Sequence, residues 1–257
     1  MGRIIAIANQ KGGVGKTTTA INLAAALAAF DRRVLLVDLD AQANATSGMG
    51  FPRGGDGIGA YEVLLGAEAV SAIRPTEFPN LSLLPSGRDL VGAEIELVDK
   101  PGRERYLRTA LEPARDSFDY ILVDCPPSLS LLTVNALTAA DSVLIPIQTE
   151  YFALEGLTEL LDTVERVRLA YNSKLAVEGI VLTMYDDRTN LGRQVTEDIR
   201  RHFGEEVYTT VIPRNVRLGE APSYGKPVLA HDIKSKGAEA YIALGREFLK
   251  RRKGTES

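Results

Sequence analysis

Lys11-Gly12-Gly13-Val14-Gly15-Lys16-Thr17-Thr18 sits between an apolar run, 3–9, and an Ala- and Leu-rich stretch without Gly or Pro, 17–29. The first run reads as a buried strand and the second as a helix opening straight out of the turn. Glycines let the backbone of Gly12, Gly13, Val14 and Gly15 turn its N–H groups inward. The helix N-terminus adds partial positive charge, so the turn suits a polyphosphate. A turn that merely linked strand to helix has no need of the Gly-Lys-Thr run. In this frame Lys16 reaches the β- and γ-phosphates of ATP, the Thr17 hydroxyl holds Mg²⁺ and Thr18 donates to the α-phosphate. Two features depart from the common pattern. Gln10 stands where a glycine is usual, five residues before Gly15, and Lys11 adds a lysine with no task on the phosphates of its own nucleotide.

Outward from the loop, further strands read at 33–38, 81–85, 119–124, 142–147, 177–183 and 207–212. Helices read at 88–99, 103–115, 153–171, 191–203 and 236–252, and a loop at 48–59 holds six glycines and a proline. Fully apolar strands joined by helices predict an α/β fold, a doubly wound, mostly parallel sheet with helices on both faces. At 257 residues and 45% hydrophobic content, with no repeat or linker, the expectation is one P-loop ATPase domain over 1–257. Ligands in such sheets bind at the carboxyl ends of the strands.

Acidic residues gather at those ends. Asp38 and Asp40 close the strand 33–38, and alternation puts both carboxylates on one side. ATP hydrolysis needs a group that orients the attacking water and charge neutralisation around Mg²⁺. Asp124 ends the apolar strand Ile-Leu-Val-Asp and is expected to hold Mg²⁺ directly or through water. Cys125 reads as a small buried hydrophobe. One cysteine allows no disulfide within the chain, no apolar run approaches the roughly 20 residues of a membrane span, and the N-terminus shows no signal-peptide pattern. The expected compartment is the cytoplasm.

K-G-G-V-G-K-T-T is similar to the deviant Walker A motif of the ParA/MinD superfamily. The longer string A-N-Q-K-G-G-V-G-K-T-T-T-A-I-N-L resembles its chromosomal ParA (Soj) branch, whereas MinD-type chains usually carry Gly at the place of Gln10. The resemblance implies that Lys11 reaches across a dimer interface to the partner's ATP. It assigns the water-positioning role to Asp40 and support of the loop and magnesium shell to Asp38. The family's D-x-D-P-Q-G-N reads here with Ala41 and Ala43, which puts loop rigidity in question while leaving both carboxylates intact. Segments 126–137 and 148–156 resemble Soj-type chains near their dimer interface, and Glu150 is either a contact to nucleotide or partner, or a solvated carboxylate. The resemblance also makes Met184, Pro213 and Asn215 adenine-pocket candidates and matches Arg188 and Arg217 to DNA-contacting arginines. The implied cycle is an ATP-dependent homodimer on nonspecific double-stranded DNA, on the nucleoid. A ParB-type partner then releases it by stimulating slow, Mg-dependent ATP hydrolysis.

Net charge is −4, yet residues 188–257 carry 14 Lys/Arg against 9 Asp/Glu, a balance of +5, while 1–187 carry 16 against 25, a balance of −9. That asymmetry fits either a solvated surface or a phosphate-binding face. Three other classes share the deviant loop. A MinD-like membrane ATPase wants a lipid-entering tail. Here the helix 236–252 ends in Lys250-Arg251-Arg252-Lys253 with no large apolar residue after it, so we expect a core-packing helix with cations suited to its dipole and no stable membrane association. A reductase like the nitrogenase iron protein needs two cysteine ligands per chain, and only Cys125 is present. Kinase or ligase chemistry needs an acceptor pocket, and none is legible.

Overall fold

A computed structural model describes residues 1–253 apart from 55, 56, 151, 152 and 187. Tyr151 and Phe152, which belong to the segment 148–156 singled out above, thus lie outside the described residues, as do Asp187 beside Arg188 and the side chains of Arg252 and Lys253.

The chain runs β1 (Arg3–Ile7), α1 (Lys16–Ala29), β2 (Val34–Asp38), α2 (Asn44–Gly48), α3 (Ala60–Leu64), α4 (Ala69–Ala72), β3 (Arg74–Pro75) and β4 (Leu81–Leu84). It continues through α5 (Leu90–Leu97), α6 (Tyr106–Leu111), β5 (Tyr120–Asp124), α7 (Leu131–Ala139), β6 (Ser142–Gln148), α8 (Ala153–Ala170) and β7 (Ala176–Thr183). The last helices are α9 (Asn190–Phe203), α10 (Val216–Glu220), α11 (Val228–His231) and α12 (Lys236–Lys253). One sheet holds the strands in the order β3-β4-β2-β5-β1-β6-β7, parallel except for the two-residue edge strand β3. β2 is buried at every position and β5 at all but its first, the signature of strands covered on both faces. Residues of α3 to α8 pack one face and residues of α1 and α10 to α12 the other. The chain order reverses around β1 and β5, so their carboxyl ends open the crevice where a doubly wound sheet takes its ligand.

The last helix belongs to the core. Tyr241, Leu244 and Phe248 are buried, and α12 lies so close along α1 that a Cβ on Gly245 would stand 3.0 Å from the Ala26 Cβ. Its apolar face is therefore already covered. No helix among the described residues is long and apolar enough to cross a membrane.

The structure corrects the sequence reading in three places. Residues 207–212 are not a continuous strand; the Tyr208 and Ile212 amides donate to the Ile180 and Leu182 carbonyls of β7, and the pairing is confined to isolated parallel bridges at Val207 and Pro213. Glu247 explains the interruption, because its two carboxylate oxygens accept from the Thr209 and Thr210 amides at 2.7 and 2.8 Å, and the Thr210 amide is the donor a ladder would need between those of Tyr208 and Ile212. The expected helix 103–115 is regular only over α6, with a 3₁₀ turn on each side, the second carrying Pro113 in its first turn. The segment 126–137, given no element above, contains most of α7, whose N-terminus is capped by the Ser130 hydroxyl accepting from the Leu132 amide.

Candidate nucleotide site

The phosphate loop is held from three directions. Asn9 accepts from the Lys11 amide at 2.9 Å and donates to the Pro146 carbonyl at 2.8 Å, tying the loop to β6. The Thr183 hydroxyl at the end of β7 donates to the Val14 carbonyl at 2.8 Å. Gly13 and Gly15 take φ of +77° and +85°, left-handed backbone that disfavours any side chain there. Gly15 thereby turns the chain into α1 and its carbonyl receives the Thr19 amide at 2.8 Å. Lys16 opens the helix, is only 7% exposed, and donates from Nζ to the Lys11 carbonyl at 2.9 Å. Burial pushes its ammonium below the usual lysine range, and the carboxylates of Asp124 and Asp40 act to restore the charge.

Three carboxylates face the loop. Asp38 and Asp124 are directly opposed in the parallel register of β2 and β5, and Asp124 is likewise opposite Ile7 of β1. Asp38 is fully satisfied: it accepts from the Thr46 amide and hydroxyl at 2.7 Å each and from the Asp40 amide at 3.2 Å. Burial still raises its pKa to about 6, against the pull of those donors. Asp40 accepts from the Gln42 amide at 2.9 Å, and its carbonyl receives the Ser86 hydroxyl at 2.9 Å. Asp124 differs from both. It is completely buried, yet neither oxygen accepts a hydrogen bond of full geometry among the described residues. Burial, then the charge of Asp38, push its pKa well above the carboxylate range, while the Thr17 hydroxyl and Lys16 oppose the shift.

An orphaned buried carboxylate is costly unless something pairs with it, and here it lies beside a phosphate cradle and the hydroxyl of Thr17. That donor set fits Mg²⁺. Magnesium is commonly held by one or two protein oxygens together with substrate phosphates. Cys125 is buried, and burial raises its thiol far above the range of a reactive thiolate.

Beyond the phosphates, Met184, Pro213 and Asn215 line one cavity of about 220 Å³ together with Gly15, Thr18 and Tyr241. Met184 holds φ +51°, and the Asn215 side chain caps α10 by accepting from the Arg217 amide at 3.0 Å. Arg188, with 82% of its side chain exposed, pairs with Asp186 at 2.6 Å. Arg217 pairs with Glu220 at 2.6 Å and Asp232 at 3.3 Å. The half-exposed ammonium of Lys11 pairs with Glu150. Sequence reasoning did not single out Asn9, Thr46, Ser86 or Thr183, which brace these groups. Polar residues just past apolar strands are common, and only the tertiary pairing tells a brace from an ordinary loop residue.

Fold and loop together define a P-loop ATPase of the deviant type, with its site at the carboxyl ends of β1, β2 and β5. A profile of the family described as AAA domain matches residues 2–177. The chain is 55% identical over 252 residues to the chromosome partitioning protein ParA of Myxococcus xanthus, covering 98% of this chain and 89% of that one. It is also 55% identical over 248 residues to the sporulation initiation inhibitor protein Soj of Bacillus subtilis, covering 96% and 98%. Among solved structures, a Mycobacterium smegmatis protein described as cobyrinic acid a,c-diamide synthase, with bound ADP and magnesium, superposes with a TM-score of 0.87 at 39% identity, covering 98% and 96%. The Pyrococcus furiosus cell division ATPase MinD superposes at 0.81 and 30% identity, covering 97% and 99%. The chain belongs to the ParA/Soj family of chromosome-partitioning ATPases.

Proposed function

We propose that this chain is a DNA-partitioning ATPase whose single domain, residues 1–257, cycles between a free protomer and an ATP-bridged homodimer on nonspecific DNA. The observation that carries the reading is the division of labour between its two loop lysines. Lys16 is buried and turned onto the loop, as a lysine serving its own nucleotide must be. Lys11 is half exposed and pairs with Glu150, and we read it as serving the partner's site.

In the proposed cycle the amides from Gly12 to Gly15 and the Lys16 ammonium hold the β- and γ-phosphates, and Thr18 the α-phosphate. Thr17 and Asp124 hold Mg²⁺, with Asp38 bracing the loop behind them. The ion supplies neutralisation of charge developing on the transferred phosphoryl group. Asp40 orients the attacking water in line with the γ-phosphate. Lys11 leaves Glu150 and reaches the partner's phosphates, so the dimer forms only around ATP. Met184, Pro213 and Asn215 flank the adenine. Arg188 and Arg217 meet DNA phosphates, which give affinity without sequence preference; exchanging their carboxylate partners for phosphate keeps each guanidinium paired. A ParB-type partner stimulates hydrolysis and frees the dimer from DNA, and the protein works in the cytoplasm on the nucleoid. The relatives named for chromosome partitioning support this role.

A membrane-surface cycle like that of MinD has less support, because the apolar face of α12 is occupied by the core. The test is light scattering after size exclusion with ATP, ADP or no nucleotide, on wild type and Lys11→Ala. Wild type is expected to dimerise with ATP alone, and Lys11→Ala to bind ATP while remaining monomeric. A Lys11→Ala protein that dimerises with ATP like wild type removes the basis of the reading.

A further inference from the structure

The turn that carries Asp40 is held weakly by its own residues. Ala41 and Ala43 stand where the family's motif has Pro and Gly. Alanine fixes φ less than proline does, and it disfavours the left-handed backbone that glycine adopts freely. Ala43 nonetheless takes φ +51°. Inside the turn, the Gln42 amide donates to the Asp40 carboxylate and the Ala43 amide to the Asp40 carbonyl, both at 2.9 Å. Both bonds are local and would travel with the turn if it shifted.

A restraint from outside the turn comes from Ser86. β4 runs parallel beside β2 with Leu84 opposite Val37, and Ser86 follows two residues after Leu84. The end of β4 is itself anchored, because the Pro85 carbonyl receives the Ala60 amide of α3 at 2.9 Å. Ser86 is only 4% exposed. Its hydroxyl donates to the Asp40 carbonyl and its amide to the Thr46 hydroxyl, each at 2.9 Å. One residue thus clamps both sides of the left-handed position at Ala43: Asp40 before it and Thr46 of α2 after it.

We propose that Ser86 is a positioning residue for ATP hydrolysis, acting through Asp40; the inference rests on the reading of Asp40 as the group that orients the attacking water. The short Asp40 side chain occupies staggered rotamers, so its carboxylate goes where its backbone is put. An in-line attack tolerates little displacement, and a misplacement of about 1 Å can cost roughly a hundredfold in rate. The groups assigned to ATP and Mg²⁺ lie elsewhere, in the β1–α1 loop, on α1 and on β5. Loss of the Ser86 hydroxyl therefore slows the chemical step and spares nucleotide affinity. The Asp40 carbonyl keeps the Ala43 amide in that case, so the turn loses its anchor without losing its fold.

The test is a double-mutant cycle on the full-length protein, with wild type, Ser86→Ala, Asp40→Ala and the double variant. Single-turnover hydrolysis of Mg-ATP gives the rate, a fluorescent ATP analogue gives the affinity, and light scattering follows dimerisation with ATP. Ser86→Ala is expected to hydrolyse about tenfold more slowly, with affinity and dimerisation as in wild type. On the Asp40→Ala background, Ser86→Ala should slow the residual rate no further. Ser86→Ala that loses nucleotide affinity or dimerisation overturns the proposal, because the serine would then be a general brace of the fold. An equal tenfold loss on both backgrounds overturns it too, since Ser86 would not act through Asp40. If Asp40→Ala is slow while Ser86→Ala matches wild type, this inference alone fails. If Asp40→Ala itself matches wild type, the assignment of Asp40 falls and the inference with it.

Discussion

Replacing Asp124 by Asn should stabilise the empty protein while removing its response to magnesium. Both Asp124 oxygens are buried without a hydrogen bond of full geometry, and Asp38 stands opposite in register. A buried acceptor left unpaired costs about 1–3 kcal/mol, and more when charged. Asparagine keeps the shape and removes the charge, so a gain of about 1–3 kcal/mol is expected at pH 7.5. For a chain of this length about 1 kcal/mol moves Tm by roughly 2–4 °C, which puts the rise at roughly 2–12 °C. Ligand at a hundredfold excess over Kd adds about 2.7 kcal/mol to a protein that binds it. Wild type should therefore rise in Tm with Mg-ATP well beyond its rise with ATP and EDTA, and Asp124→Asn should lose that difference. The pH profile follows from the direction of the shifts. Asp124 is raised well above, and Asp38 to about 6 from, an ordinary value of 3.8. A raised folded pKa favours the folded state at low pH, a contribution lost as pH rises through about 6. The advantage of Asp124→Asn should accordingly shrink as the buffer is taken from pH 7.5 to 5. Differential scanning fluorimetry across pH, with and without EDTA, reads both effects. An empty Asp124→Asn protein that melts at or below wild type at pH 7.5 would refute the claim that this carboxylate is uncompensated.

Three further predictions concern other links. Glu247→Ala withdraws the acceptor for the Thr209 and Thr210 amides and the partner of Arg251, a loss of about 2–4 kcal/mol in denaturant melts. Burial works to raise the Glu247 pKa, but those amides and Arg251 hold it below 4.5, so the wild-type advantage should fade as pH falls below that value. Gly15→Ala forces a side chain onto φ +85° at about 1–2 kcal/mol and should weaken nucleotide binding in calorimetry; unchanged affinity would mean the turn is not needed in this form. Arg188→Ala should weaken DNA binding evenly across sequences and lower the slope of log K against log salt by about 1, whereas a sequence-dependent loss would mean base contact.

The loop, the two strand ends that carry Asp38, Asp40 and Asp124, and the doubly wound sheet were legible because each rests on local chemistry: apolar runs of strand length, a glycine turn opening a helix, Asp after Ile-Leu-Val. The stretch 207–212 misled because its β-branched and aromatic residues suit a strand, while the competing acceptor, Glu247, lies some 37 residues on in α12. α7 was missed although Ser130 is a good cap, because its buried, all-round apolar composition gives no amphipathic rhythm. In the sequence Asp38 and Asp124 look alike in their setting, each closing an apolar strand. Only the fold separates them, by supplying Thr46 to one and no full hydrogen bond to the other.

The most direct test of the account is retardation of a random-sequence duplex with ATP, ADP or no nucleotide at two salt concentrations, using wild type and Asp40→Ala. The account predicts a shift with ATP only, weakened by salt, and retained by Asp40→Ala, which binds ATP without turning it over. Binding that is equal in all three nucleotide states, or absent in every one, would contradict it.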